Sequence, residues 1–196
     1  VFALDYCARN LSLEGCVFSG EPVAIKEFVV GAAWLDQQET RAIIAGGKNS
    51  FHCLGVGGLE WSKPDAVPRR PTSIATSPGT GRMAIALERP EGMVSAGVQN
   101  SQFDIHLFNI GDAGSADGIT PGNVLQGHLK EVTAMKFNPA GDLLASADAG
   151  NKIMVWSCSA DGAATLAITD WVLHTARVTC LDWLAGGRRL VSGSPG

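Results

Sequence analysis

Val124-Leu125-Gln126-Gly127-His128, followed 28 residues later by Trp156 at the end of Asn151-Lys152-Ile153-Met154-Val155-Trp156, is the stretch whose reading decides the fold. The interval has room for an outer connection, a strand from Val132 to Phe137, a turn at Asn138-Pro139-Ala140-Gly141-Asp142, a strand from Leu143 to Ser146, a second turn and a strand closing on Trp156. That alternation of five- and six-residue apolar runs with turn residues predicts one blade of a β-propeller.

The unit recurs. A shift of 46 residues places His128 on His174, Val132 on Val178, Thr133 on Thr179, Phe137 on Trp183, Gly141 on Gly187, Leu144 on Leu190 and Ser146 on Ser192, with no gap. A fixed period near 45 residues belongs to stacked sheets, because a single four-stranded blade cannot bury both of its faces and its neighbours must cover them. The predicted fold class is therefore all-β, a propeller of four-stranded antiparallel blades.

Two upstream segments are weaker copies. Phe28–Trp34, Arg41–Ala45 and Ser50–Leu54 are strand-like runs separated by Asp36-Gln37-Gln38-Glu39 and Gly46-Gly47-Lys48-Asn49. Thr72–Thr76, Met83–Leu87, Met93–Ala96 and Asp104–Ile110 form another set, with Phe108 standing where the later copy has Trp156. Loops are predicted from Trp61 to Pro71 and from Gly111 to Gly122, both rich in Pro, Gly, Ser and Asp. The copies run over about 23–60, 70–110, 124–158 and 170–196 of a single repeat domain, 1–196.

At these residues the sequence resembles the WD-repeat family. There, a His near the start of the blade, a Ser or Thr on the second strand, an Asp in the next turn and the Trp of the third strand form a buried hydrogen-bonded chain. The resemblance implies this role for His128, Ser146 and Trp156, and for His174 and Ser192 in the next copy. The Asp departs from the pattern: six residues before the Trp stands Gly150, Asp148 lies two residues early, and Ser157 replaces the Asp of the Trp-Asp pair. The expectation is an incomplete chain, with His128 needing a water or backbone partner. The recurrence of His128 and His174 at repeat positions marks them as structural rather than metal-binding.

Within that family, Ala145–Lys152 followed by Trp171–Trp183, and His174-Thr175-Ala176-Arg177-Val178 above all, resemble the second propeller of the actin-interacting proteins that assist cofilin. The resemblance covers residues 124 to 194. It implies a chain with two seven-bladed propellers that promotes disassembly of cofilin-decorated actin filaments in the cytoplasm, on the cytoskeleton, with actin and cofilin as protein partners. Four copies in 196 residues are too few for a seven-bladed ring, so the expectation is an incomplete arc of such a ring, a fragment of a longer product.

Composition narrows the alternatives. With 45% apolar and 17% charged residues, buried sheets are expected rather than disorder. The longest apolar run, Phe28 to Leu35, is interrupted by Gly31 and falls far short of a membrane span. Five cysteines without Cys-x-x-Cys spacing suggest buried free thiols. A net charge of -4, with Arg69-Arg70 and Arg188-Arg189 as isolated pairs read as solvated turn residues, points away from nucleic acid.

Enzyme motifs fail on inspection. Gly46-Gly47-Lys48-Asn49-Ser50 has Ala42 where a phosphate loop needs its first Gly and Asn49 where it needs Ser or Thr. Gly55-Val56-Gly57-Gly58-Leu59-Glu60 has Glu60 in place of the third Gly of a dinucleotide fingerprint. Adjacent His52 and Cys53 would face opposite sides of a strand. No enzyme activity, cofactor or metal is expected. The predicted role is a protein-binding scaffold whose contacts are made by the loops around Lys130, Glu131 and Arg177, either on actin or, as the alternative, in an unrelated multiprotein complex.

Overall fold

The computed structural model describes residues 2–4, 7–11, 18–88, 103–159 and 162–195, with side chains from Val23 onward except Asp170. Its strands form five antiparallel sheets in chain order. The first holds β1 (Phe2–Leu4), β2 (Cys7–Leu11) and β3 (Phe18–Ala24). The second holds β4 (Val29–Trp34), β5 (Ala42–Gly46), β6 (Phe51–Gly55) and β7 (Gly58–Lys63). The third holds β8 (Pro71–Ser77), β9 (Arg82–Leu87), β10 (Phe103–Ile110) and β11 (Ile119–His128). The fourth holds β12 (Val132–Phe137), β13 (Leu143–Asp148), β14 (Ile153–Cys158) and β15 (Ala164–Trp171). The fifth holds β16 (Cys180–Trp183) and β17 (Leu190–Gly193).

Each sheet is a meander of nearest-neighbour strands, and the leading strands β4, β8, β12 and β16 pack side by side. This is the blade arrangement of a β-propeller. The second strand of each full sheet is the most buried, because a neighbouring sheet covers each face. Those strands accordingly read as unbroken small and apolar runs, Ala42-Ile43-Ile44-Ala45, Met83-Ala84-Ile85-Ala86-Leu87 and Leu144-Ala145-Ser146-Ala147. Alternating Ala lets larger side chains of the next sheet approach at close-packed distance.

Strand direction alternates, so the sheet-to-sheet connections and the turns between second and third strands gather at one rim, the upper. The turns after the first strands gather at the lower rim. Three of the lower turns close with a left-handed glycine, Gly81 (φ 63°), Gly141 (φ 72°) and Gly187 (φ 64°), whose amides bond back to Pro78, Asn138 and Leu184. Glycine reaches that conformation without steric cost. The fourth such turn instead carries Glu39 at φ 55°, its amide bonded to Asp36.

The structure revises several sequence expectations. Among the described residues there are five sheets, β1–β3 forming one ahead of the four copies. The stretch from Val124 to Trp156 is not one sheet: β11, which ends on His128, is the outer strand of the third sheet, and only β12 to β14 belong to the fourth. The predicted loops are shorter, because Trp61–Lys63 completes β7 and Ile119–Gly122 opens β11. Both segments pair with an apolar third strand, which overrides their turn-rich composition. The run Met93–Ala96 lies outside the described residues, and β10 pairs directly with β9. Cys180 is an exposed free thiol, whereas Cys53 and Cys158 are buried free thiols. Cys7 and Cys16 lie outside the described side chains. Arg70 is exposed, as expected of a solvated residue, and pairs with Glu88 at the surface, whereas Arg69 is half-buried and pairs with Asp104.

Side chains also fasten one sheet to the next. Thr76 Oγ1 donates to the Trp34 carbonyl at 2.6 Å, and Trp183 Nε1 donates to the Lys136 carbonyl at 3.0 Å. Arg82, the first residue of β9, reaches across to the fourth sheet and donates to the carbonyls of Gly141 (2.8 Å), Cys158 (3.0 Å) and Ser159. Replacing Arg82 by Ala strips three carbonyls of one charged donor. The expected loss is about 1.5–3 kcal/mol, read as a lower urea midpoint; an unchanged midpoint would mean that water replaces the guanidinium without cost.

Candidate functional site

His128 closes β11, pairs with Phe103 and is fully buried (0% exposed). Its ring crosses into the fourth sheet, where Nδ1 lies 2.8 Å from Asp148 Oδ2 and Nε2 lies 2.8 Å from Ser146 Oγ. Trp156 Nε1 donates to the same Ser146 oxygen at 2.8 Å. One proton arrangement satisfies every member: the indole N–H donates to Ser146, the Ser146 hydroxyl donates to Nε2, and Nδ1–H donates to Asp148.

The expected gap at Asp148 is thus filled. Asp148 stands at the end of β13, opposite Val132, and the turn after it is two residues longer than the family pattern. The extra residues are held by the carboxylate itself, whose Oδ1 accepts from the amides of Gly150 (2.8 Å) and Lys152 (3.0 Å). Burial pushes the Asp148 carboxyl up, but hydrogen bonds from His128 and from these amides outweigh it and hold the group below its ordinary value. In the next copy His174 Nε2 lies 2.7 Å from Ser192 Oγ.

Strand register shows what the other seams use at these positions. In the second sheet His128, Ser146 and Trp156 correspond to Ile25, Ile44 and Leu54, which form a buried apolar cluster of their own. In the third sheet His128, Ser146, Asp148 and Trp156 correspond to Val67, Ile85, Leu87 and Phe108, again all buried. Each of these three seams is filled, by apolar side chains in two cases and by a satisfied polar chain in the third.

A second polar cluster fastens the upper rim of the second sheet. Glu27, in the β3–β4 connection, accepts from the Lys48 amide at 2.6 Å and from Ser50 Oγ, and its Oε1 lies 2.9 Å from His52 Nε2. His52 Nδ1 lies 2.8 Å from Ser62 Oγ. Burial pushes the Glu27 carboxyl up, while hydrogen bonds from Ser50, Lys48 and His52 bring it below its usual range. Sequence reading missed this cluster because its members come from three segments with no common spacing. Cys53, on the opposite face of β6, contacts the Ala113 carbonyl at 3.7 Å, and burial pushes its thiol up to about 12. It carries no thiolate near neutral pH.

Above the His128 chain lie the rim residues. Lys130, Glu131 and Arg177 are all exposed. The Glu131 carbonyl accepts from the Ala149 amide at 2.8 Å, the Asp148 carbonyl accepts from the Val178 amide at 3.4 Å, and Lys130 lies over Gly150. The loops around 130, 150 and 177 therefore form one continuous patch, held from beneath by Asp148. Chemically it is a fixed display of charged side chains. Among the described residues no group of three or more His, Cys, Asp or Glu side chains is placed to hold a metal ion, and no helix is long and apolar enough to cross a membrane.

Residues 119–162 and 168–195 match the family described as WD domain, G-beta repeat. Among curated proteins, the chain is 26% identical over 179 residues to a 66 kDa stress protein of Physarum polycephalum, covering 88% of this chain and 26% of that one. It is 27% identical over 110 residues to actin-interacting protein 1 of Caenorhabditis elegans, covering 56% of this chain and 17% of the relative. It is 26% identical over 90 residues to actin-interacting protein 1-2 of Arabidopsis thaliana, covering 46% and 14%. The chain thus spans about a quarter or less of the length of these relatives. Among solved structures, a chain of the mitotic checkpoint complex superposes with a TM-score of 0.70 at 16% identity, covering 96% of this chain and 53% of that one. The RRP9 WD40 repeats superpose at 0.60 and 16% identity, covering 81% and 43%. At that identity the superpositions speak for the fold alone.

Proposed function

We propose that this WD-repeat protein is a protein-binding scaffold whose upper rim, at Lys130, Glu131 and Arg177, takes part in cofilin-dependent disassembly of actin filaments on the cytoskeleton. The carrying observation is the likeness to two actin-interacting proteins in a chain that carries WD repeats. The geometry supports it: rim side chains stand on a buried network, so they are presented without being needed for folding.

Cosedimentation of the full chain with actin filaments, with and without cofilin, tests this reading. Pelleting that requires cofilin, or cofilin-dependent filament loss, is the expected result; no effect in either condition would sink it and leave a scaffold for another complex, to be identified by affinity capture. Reversing the charge of Lys130 and Arg177 together is expected to weaken pelleting several-fold, as loss of rim charges does. Exposed loop substitutions shift stability by no more than about 0.5 kcal/mol, so the melting temperature should hold. A variant that unfolds would place these side chains in the fold and not on a binding surface.

A further inference from the structure

At the lower rim, away from the surface just described, the exit ends of β4, β8 and β12 enclose an open cavity of about 800 Å³. Its lining includes Trp34, the last residue of β4 and 37% exposed, with Asp36, Glu39, Thr76, Met135 and Lys136. An indole left open to solvent on a leading strand is unusual, because the remaining aromatic side chains of the leading and third strands are packed into seams. We propose that this cavity binds a cationic side chain, an arginine or lysine presented by a basic segment of a protein partner, between the Trp34 ring and the carboxylates of Asp36 and Glu39.

Three observations point to a cation. The nearby cations each have another carboxylate beside them: Arg41 is paired with Glu60 at 2.6 Å, and Lys136 Nζ, on the cavity wall, lies 3.7 Å from the exposed Asp182. Asp36 is fixed in place, accepting from the Thr40 amide at 2.7 Å and the Thr40 hydroxyl at 2.5 Å. Burial pushes its carboxyl up, and the Thr40 bonds and the Arg41 amide more than offset this, so it is charged at neutral pH. Glu39 makes no ion pair among the described residues, yet it occupies the left-handed position that glycine fills in the other three lower turns. A non-glycine residue there works against its backbone preference, and this one lines the cavity. A guanidinium or ammonium above an indole gains further from the negative face of the ring.

An NMR titration of the ¹⁵N-labelled full chain, following the Trp34 indole N–H, tests the proposal. The probe is the blocked tripeptide Gly-Arg-Gly, with Gly-citrulline-Gly as the neutral control. A saturable shift with the arginine peptide, at least fivefold weaker with the citrulline peptide and weakened by salt, is expected. Glu39→Gln, and Trp34→Leu followed through the Thr40 backbone amide in place of the lost indole signal, should each weaken binding by roughly two- to fivefold. Glu39→Gly should weaken it equally while raising the urea midpoint, because glycine relieves the left-handed backbone. Absence of saturation, equal affinity for the neutral peptide, or unchanged affinity in Glu39→Gln would each overturn the assignment. So would tighter binding of an acidic peptide.

Discussion

Replacing His128 by Ala is expected to lower the stability of the chain by about 3–5 kcal/mol. The imidazole is the one group linking Asp148 to Ser146, and all three are buried. Without it a carboxylate at 2% exposure loses its ring partner, and the Ser146 hydroxyl, which still accepts from Trp156 Nε1, has only the Met154 carbonyl at 3.5 Å to donate to. Urea denaturation followed by tryptophan fluorescence would read the loss; a change below about 1 kcal/mol would show that water enters and restores the chain. A second variant isolates the cause. Converting the set to its third-sheet counterparts, His128→Val with Ser146→Ile, Asp148→Leu and Trp156→Phe, should cost less than His128→Ala alone, because replacing a whole buried polar group is milder than removing one partner.

The same pair sets an acid limit. The folded Asp148 carboxyl titrates below its ordinary value of 3.8. Its contribution to stability is therefore fully present above about that pH and is lost as pH falls through the lower folded value. In the His128→Ala variant the depression shrinks, so the fall in stability below pH 3.8 should be shallower than in the parent.

Phe51→Ala carries an expected loss of similar size, about 3–5 kcal/mol. Phe51 opens β6, is 1% exposed, and meets Phe108 of the third sheet edge to face, with ring centroids 5.7 Å apart and planes at 82°. Ile43, Val67 and Ile85 pack in the same cluster. Truncation leaves a hole bounded by two sheets whose backbones are fixed by their own ladders, so collapse into it is limited. Thermal denaturation would register the effect. A fall of less than 1 kcal/mol would mean that the two sheets slide together to close the gap.

How far the amino acids disclosed all this follows from which signals are local. The strands around Val132–Phe137, Leu143–Ser146 and Ile153–Trp156 were legible because apolar runs alternate there with Pro-Ala-Gly-Asp and Ala-Gly-Asn turns. Gly58–Lys63 was harder to see: Leu59, Glu60 and Ser62 face outward on an outermost strand, so burial left no pattern. The correspondence of Ile25, Ile44 and Leu54 with His128, Ser146 and Trp156 was invisible, since it depends on pairing register rather than residue type. Asp148 stands out of place by the family spacing because that spacing measures distance along the chain. The carboxylate needs only to end a buried strand beside the ring, and a longer turn can be wrapped around it. Arg82 and Glu27 act on carbonyls and side chains brought close by sheet stacking, a proximity that no linear spacing records.

The sequence unit and the blade are out of phase by one strand, with β11 belonging to the third sheet while its terminal His128 belongs chemically to the fourth. For anyone dividing such a chain into portable parts, the apparent seam between blades is the wrong place to cut. Severing the chain after His128 would give one piece an orphaned imidazole and the other a buried carboxylate that has lost its imidazole, although no strand is broken. Severing it between β10 and β11 breaks a ladder but keeps the polar set whole. Modules defined by repeat, each bringing the outer strand of the preceding sheet whose terminal histidine locks into its own, should therefore recombine more readily than modules defined by shape.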